Sequence, residues 1–201
     1  MSGVIESQYF PSLEYFSYIK QQGEVWIDAK EYFVKQTFRN RCYILTTHGV
    51  QPLTVPVRNG NKKVPMDELE IDYKEKWLNN HWRAILSAYN KSPYFEYYSD
   101  YLYDSLFTRH DRLLDLNKSI LSFCLKSLQI GTVINYTDNY YLSGSDSKQD
   151  MRSVIHPKKP YFHRNIFHSN PYVQIFGDIF VPNLSVLDLL SCTGPESSTY
   201  V

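Results

Sequence analysis

EVWIDAKEYFVKQTFRNRCYILTTHGVQPLTVPV, residues 24–57, carries the pattern that decides the fold of this 201-residue chain. Its opening, residues 24–28, is a short apolar run that stops on a carboxylate, as a buried strand does where it leaves a sheet. Two more apolar runs, Arg41–Thr46 and 52–57, follow a polar block, Lys35-Gln36-Thr37-Phe38-Arg39-Asn40-Arg41. Cys42 and Ile44 alternate with Tyr43 and Leu45, apolar on both faces, which predicts a central strand. In the second run Leu53, Val55 and Val57 alternate with Thr54 and Pro56, and Pro52 and Pro56 place it at an edge.

Upstream, residues 4–8 read as a first strand and 9–12 as a turn. Ser12 then caps a helix to about Gln22, with Leu13, Phe16 and Ile19 on one side. Strand, helix and strand in close succession predict a parallel crossover. Ligands of parallel sheets gather beyond the carboxyl ends of the strands. Asp28 is therefore either a ligand-facing carboxylate or a plain turn aspartate. Downstream, Leu69 and Ile71 mark a short strand, and three helices are predicted over 77–90, 92–108 and 111–129. Strands return at 131–136 and 172–176. Ser185 with Asp188 forms a capping arrangement on a last helix that Gly194 stops. The expected architecture is a single α/β domain over residues 1–201, with a mainly parallel central sheet flanked by helices and a helical middle section.

Lysine and arginine number 21, as do aspartate and glutamate, so a whole-molecule electrostatic grip on nucleic acid is not expected. No apolar run approaches the ~18 residues of a membrane helix, so membrane insertion is not expected either. Cys42, Cys124 and Cys192 are dispersed, and two lie within apolar runs. They read as reduced core thiols, which, without a secretory signal at the start, points to the cytoplasm. No phosphate-cradling glycine loop, nucleophile elbow or zinc-helix motif is present. The sequence specifies no cofactor, no metal and no oligomeric state.

The polar block is the chemical signal. A guanidinium offers planar, permanently charged donors that match carboxylate and phosphate oxygens. Arg39 and Arg41 flanking Asn40 at the mouth of a strand predict an anion site, with Gln36 orienting polar groups. Between Lys148 and Arg164 the basic residues Lys148, Arg152, Lys158, Lys159 and Arg164 face Asp150 alone. Residues 138–165 read as a flexible basic loop, either a flap over an anionic ligand, with Arg152, Lys158 and Lys159 touching it, or plain disordered chain. His81, beside the apolar stripe of its helix, is either a packed core histidine or the proton-transfer residue, since imidazole alone titrates near neutrality. Tyr94, Tyr97, Tyr98 and Tyr101 share a helix face, either as core rim or as a stacking platform for a sugar ring.

Several stretches occur in order: Tyr9-Phe10-Pro11 with Tyr15-Phe16, KQTFRNRCYI (35–44), LTVPV (53–57), His81 with Ile85, Tyr89 and Ser92-Pro93-Tyr94-Phe95, Asp150-Met151-Arg152, Pro157-Lys158-Lys159, and PNLSVLDLLSCTGPE (182–196). Together they resemble the WbqC-like protein family of bacteria, in its shorter form, over Val4 to Glu196. The resemblance implies a surface-polysaccharide setting and a transferase placing an aminoacyl group on an amino sugar. It also implies that Gln36, Arg39, Asn40, Arg41, His81 and Asp188 are the polar residues to watch. Two readings follow. One is a group transferase for an anionic or nucleotide-linked amino sugar, in which the arginines hold the anion and His81, with Asp28, takes the proton. The other is a non-catalytic binding module with structural arginines. A nucleotidyltransferase-like enzyme also fits the opening strand, helix and strand.

Overall fold

The computed structural model describes residues 2–144 and 147–201. Strands β1 (Ser2–Ile5), β2 (Glu24–Ile27), β5 (Val133–Tyr136) and β6 (Gln149–Asp150) form one sheet in the order β5-β2-β1-β6. Every pairing in it is parallel, with Ile5 opposite Ile27, Ile27 opposite Tyr136 and Val4 opposite Asp150. Helix α1 (Leu13–Lys20) makes the β1–β2 crossover expected from the spacing. Every residue from Leu13 to Ile19 is buried on it, far more than an amphipathic stripe requires. The chain is thus a mixed α/β fold on a mainly parallel sheet.

Strands β3 (Arg41–Thr46) and β4 (Gly49–Thr54) form a separate antiparallel hairpin, with Tyr43 opposite Pro52. Arg41–Thr46 is therefore not a central strand of the main sheet. Proline at 52 removes a ladder donor from its partner, so the hairpin cannot grow in that direction. Its apolar side chains Cys42, Ile44 and Leu53 enter the core instead.

Helices α2 (Trp77–Tyr89), α3 (Phe95–Phe107) and α4 (Leu113–Ser127) form the helical middle section. Ser92 closes α2 by donating to the Tyr89 carbonyl at 2.6 Å, and α3 begins only at Phe95. Residues 172–176 are not a strand. Gln174 takes up the backbone of Val181 with both ends of its amide, at 2.8 and 2.9 Å, and Val173 is 88% exposed. Helix α5 (Val186–Thr193) starts with Ser185 accepting from the Leu187 N–H at 3.3 Å. The Asp188 carboxylate does not reach back to that cap. It is buried, accepting from Tyr172 Oη at 2.7 Å and Gln174 Nε2 at 2.9 Å. Cys42, Cys124 and Cys192 are free and buried.

The basic segment 138–165 is tied down at several points. β6 pairs with β1, Met151 N–H donates to the Val4 carbonyl at 2.7 Å, Ile155 is buried, and Arg164 forks onto the buried Glu14. Ser145 and Asp146 of that segment lie outside the described residues.

Candidate functional site at the carboxyl edge of the sheet

Because all four strands run the same way, the first polar residue beyond each one arrives at the same edge. Glu6 follows β1, Asp28 follows β2, Thr137 follows β5, and Asp150 ends β6 ahead of Arg152 and Ser153. Glu6 accepts from Gln8 Nε2 at 2.9 Å and from the Ser153 N–H at 2.8 Å. Asp28 is fully buried. Its Oδ1 accepts from Thr137 Oγ1 at 2.8 Å and the Lys30 N–H at 3.0 Å, and its Oδ2 from Arg152 Nη1 at 2.6 Å. Arg152 also forks onto Asp150, at 2.9 and 2.7 Å, and lies over the rings of Tyr140 and Tyr141.

Beside this lattice sits a second fork. Arg39, only 1% exposed, donates from Nε to Glu31 Oε1 at 2.8 Å and from Nη2 to Glu31 Oε2 at 2.6 Å. Nη2 also reaches Ser153 Oγ at 3.1 Å. Ser153 holds φ at 59°, a left-handed conformation a serine adopts at a cost, of the kind that gathers at functional sites. Glu6, Asp28, Glu31 and Asp150 thus stand against Arg39 and Arg152, so carboxylates exceed guanidinium groups. Burial, reinforced by the nearby Glu6 and Asp28 charges, pushes the Glu31 carboxyl up to about 7 against the pull of Arg39. Asp150 goes the other way, held below the usual carboxylate range by its hydrogen bond from Arg152. Acids lining one cleft with opposed shifts are the arrangement that lets one carry a proton near neutrality while the other stays charged.

A cleft of about 310 Å³ opens onto Glu31, Arg39, Asp150, Arg152 and Ser153, flanked by Tyr32 and Tyr140. The two tyrosine rings lie 6.0 Å apart, each about half exposed. Among the described residues, no group of three or more His, Cys, Asp or Glu is placed to hold a metal ion.

The structure brings Asp28, Arg39 and Arg152 together here, and it separates the other residues picked out from the sequence. Gln36, Asn40 and Arg41 line a different, polar cleft of about 440 Å³ with Lys35. Asn40 Nδ2 donates to the Val55 carbonyl at 2.8 Å, and Arg41 Nε donates to Thr54 Oγ1 at 2.9 Å. Lys158 Nζ donates to Gln36 Oε1, and Lys159 makes a long contact to the Ser153 carbonyl at 3.4 Å. His81 lies in the core on α2, sharing a 2.9 Å hydrogen bond between Nδ1 and Tyr9 Oη and packing edge-on to Trp77. Burial pushes it down to about 4, so it is a neutral imidazole at ordinary pH. Of its two sequence readings, this environment matches the packed one. Glu6, Glu31, Ser153 and Tyr140 were not singled out in the sequence. The rule that flagged Asp28, a carboxylate just past an apolar run, applies equally to Glu6 after Val4-Ile5.

The model of the WbqC-like protein family matches residues 6–159, a span holding every strand end that builds the cleft. The chain belongs to the WbqC-like protein family. A family relative, the uncharacterized protein Rv1507c of Mycobacterium tuberculosis, is 27% identical over 223 residues, covering 98% of this chain and 96% of that protein. No solved structure matches the chain. The family match stops before α5, so the carboxyl edge falls inside the matched region and the buried Asp188 outside it.

Proposed function

We propose that this WbqC-like protein is a group transferase acting on an anionic or nucleotide-linked amino sugar in surface-polysaccharide synthesis, with the carboxyl-edge cleft holding the acceptor. The observation that carries the reading is Glu31, a carboxyl poised near neutrality on the wall of a cleft at the carboxyl ends of parallel strands. The surplus of carboxylates favours an acceptor that arrives as an ammonium ion. Glu31 takes its proton, and the freed amine attacks the acyl carbon of the donor. The nitrogen–carbon bond forms, the bond to the donor's leaving group breaks, and the leaving group keeps the electron pair and takes the second proton shed by the acylated nitrogen. Arg39 fixes the direction of the Glu31 carboxyl, the Asp28–Arg152–Asp150 chain keeps the floor rigid, and Tyr32 and Tyr140 pack on the apolar faces of the sugar. Proton transfer assigned to His81 from the sequence moves in this reading to Glu31.

The test combines a nucleotide-linked amino sugar and an aminoacyl donor with the protein, and mass spectrometry follows the sugar. The wild type adds the acyl mass. Glu31→Gln slows that addition about 100-fold or more while sugar binding persists. Equal rates for the two proteins, or no sugar bound by either, would remove the reading. The engagement of both Arg39 and Arg152 by the protein's own acids favours a second reading, a sugar-binding module without chemistry. That module binds the same sugar and transfers nothing.

A further inference from the structure

We infer that the polar cleft at Arg41 and its neighbour at Lys158 form one cationic groove that binds the phosphates of a diphosphate. The neighbouring cleft, of about 350 Å³, is lined by His156, Lys158, Lys159 and Tyr161 among others. The two adjoin, since Lys158 of one donates to Gln36 of the other. Among the described residues, neither lining contains an aspartate or a glutamate.

What distinguishes this surface is that its cations line two adjoining clefts with no acid among the lining residues. Several basic side chains elsewhere are held by acids: Lys30 by Asp67, Arg39 by Glu31, Arg58 by Glu70, Arg152 by Asp28 and Asp150, Arg164 by Glu14. Others, such as Lys62, Lys63 and Lys74, take part in no ion pair among the described residues but line neither cleft. Lys35, Arg41, Lys158 and Lys159 take part in no ion pair among the described residues. In a chain whose formal charge is zero, that leaves four uncompensated cations on two adjoining clefts. Arg41 commits only Nε, to Thr54, so its two terminal nitrogens are open for a fork onto phosphate oxygens. His156 lies in the same groove. Its Nδ1 accepts from the Lys158 N–H at 3.1 Å. Its ring is held below the ordinary histidine value, by burial first and then by Lys159, Lys158, Arg39 and Arg164.

Cations spread over two clefts suit an extended polyanion better than a single carboxylate, and the guanidinium fork matches phosphate geometry. The lining of the groove shares no residue with the carboxyl-edge cleft, although Lys159 touches Ser153 of that cleft, so phosphate binding is read separately from transfer.

Isothermal titration with pyrophosphate, orthophosphate and nucleoside diphosphates tests the assignment. Pyrophosphate binds the wild type and Glu31→Gln alike, weakens as salt rises, and loses about tenfold or more in affinity in Arg41→Gln, a half-buried position, and again in Lys158→Gln, an exposed one. A nucleoside diphosphate that binds tighter than pyrophosphate identifies a nucleotide source, and equal affinities identify the diphosphate alone. Absence of pyrophosphate binding, or affinity unchanged in both variants, overturns the groove. Pyrophosphate binding without any acyl addition to a sugar keeps the groove and removes the transferase reading.

Discussion

Arg39 shows how much a single side chain can mislead when only its neighbours in sequence are visible. The motif around it predicts a guanidinium open to a ligand, yet its partner is Glu31, and both groups are buried. Removing one member of a buried pair strands the other charge, whereas replacing both with apolar groups of similar volume does not. Arg39→Ala is expected to lower unfolding free energy by about 3–5 kcal/mol in urea titrations, with Arg39→Met/Glu31→Leu recovering most of the loss. If the double variant is no more stable than the single, the pair is not what Arg39 contributes. The Asp28 interaction was illegible for a different reason, since its partner Arg152 arrives from 124 residues away. Sequence names charged groups at a strand end, but it does not say which of them will be neutralised there.

Elements were more legible than partners, because periodicity is local. The crossover helix α1, β2, the three middle helices and the strand ending at Tyr136 lie close to where alternation and helical spacing put them, whereas β1 runs over Ser2–Ile5 rather than the expected 4–8. At 172–176 the reading failed because the Gln174 side chain takes the place of a backbone partner, and at Arg41–Thr46 because the strand pairs in a hairpin outside the main sheet. The stop at Gly194 was readable, and the structure supplies its reason. The residue holds φ at 53°, and a Cβ built there would lie 2.4 Å from Tyr94 Cγ. Gly194→Ala therefore strains both the end of α5 and the turn ahead of α3. It is expected to destabilise by about 2 kcal/mol or more, read as a fall in the denaturation midpoint at unchanged slope. A midpoint equal to wild type would mean that Tyr94 moves aside freely.

Taken together, the molecule holds two buried titratable groups that pull its stability in opposite directions over a shared pH range. The folded Glu31 carboxyl, at about 7 against an ordinary 4.5, keeps a proton the unfolded chain has lost, so stability falls as pH rises through that interval. Folded His81, at about 4 against 6.5, has lost a proton the unfolded chain keeps, so stability rises as pH rises through its own interval. Between pH 4.5 and 6.5 the two slopes, each at most about 1.4 kcal/mol per pH unit, largely cancel. Melting temperatures at pH 4.5, 5.5 and 6.5 should show Glu31→Gln gaining stability as pH rises and His81→Phe losing it. Parallel profiles for the two variants would contradict the opposed assignments. A further consequence lies in where the opening strand sits. β1 is paired on one side by β6, and residues 10–13 are bonded to Leu184, Ser185 and Val186. At synthesis rates of roughly 5–20 residues per second, Val4 and Ile5 leave the ribosome many seconds before those partners exist. Translation speed thus sets how long the β6 side of that strand waits for its neighbour, while β2 closes its other side early.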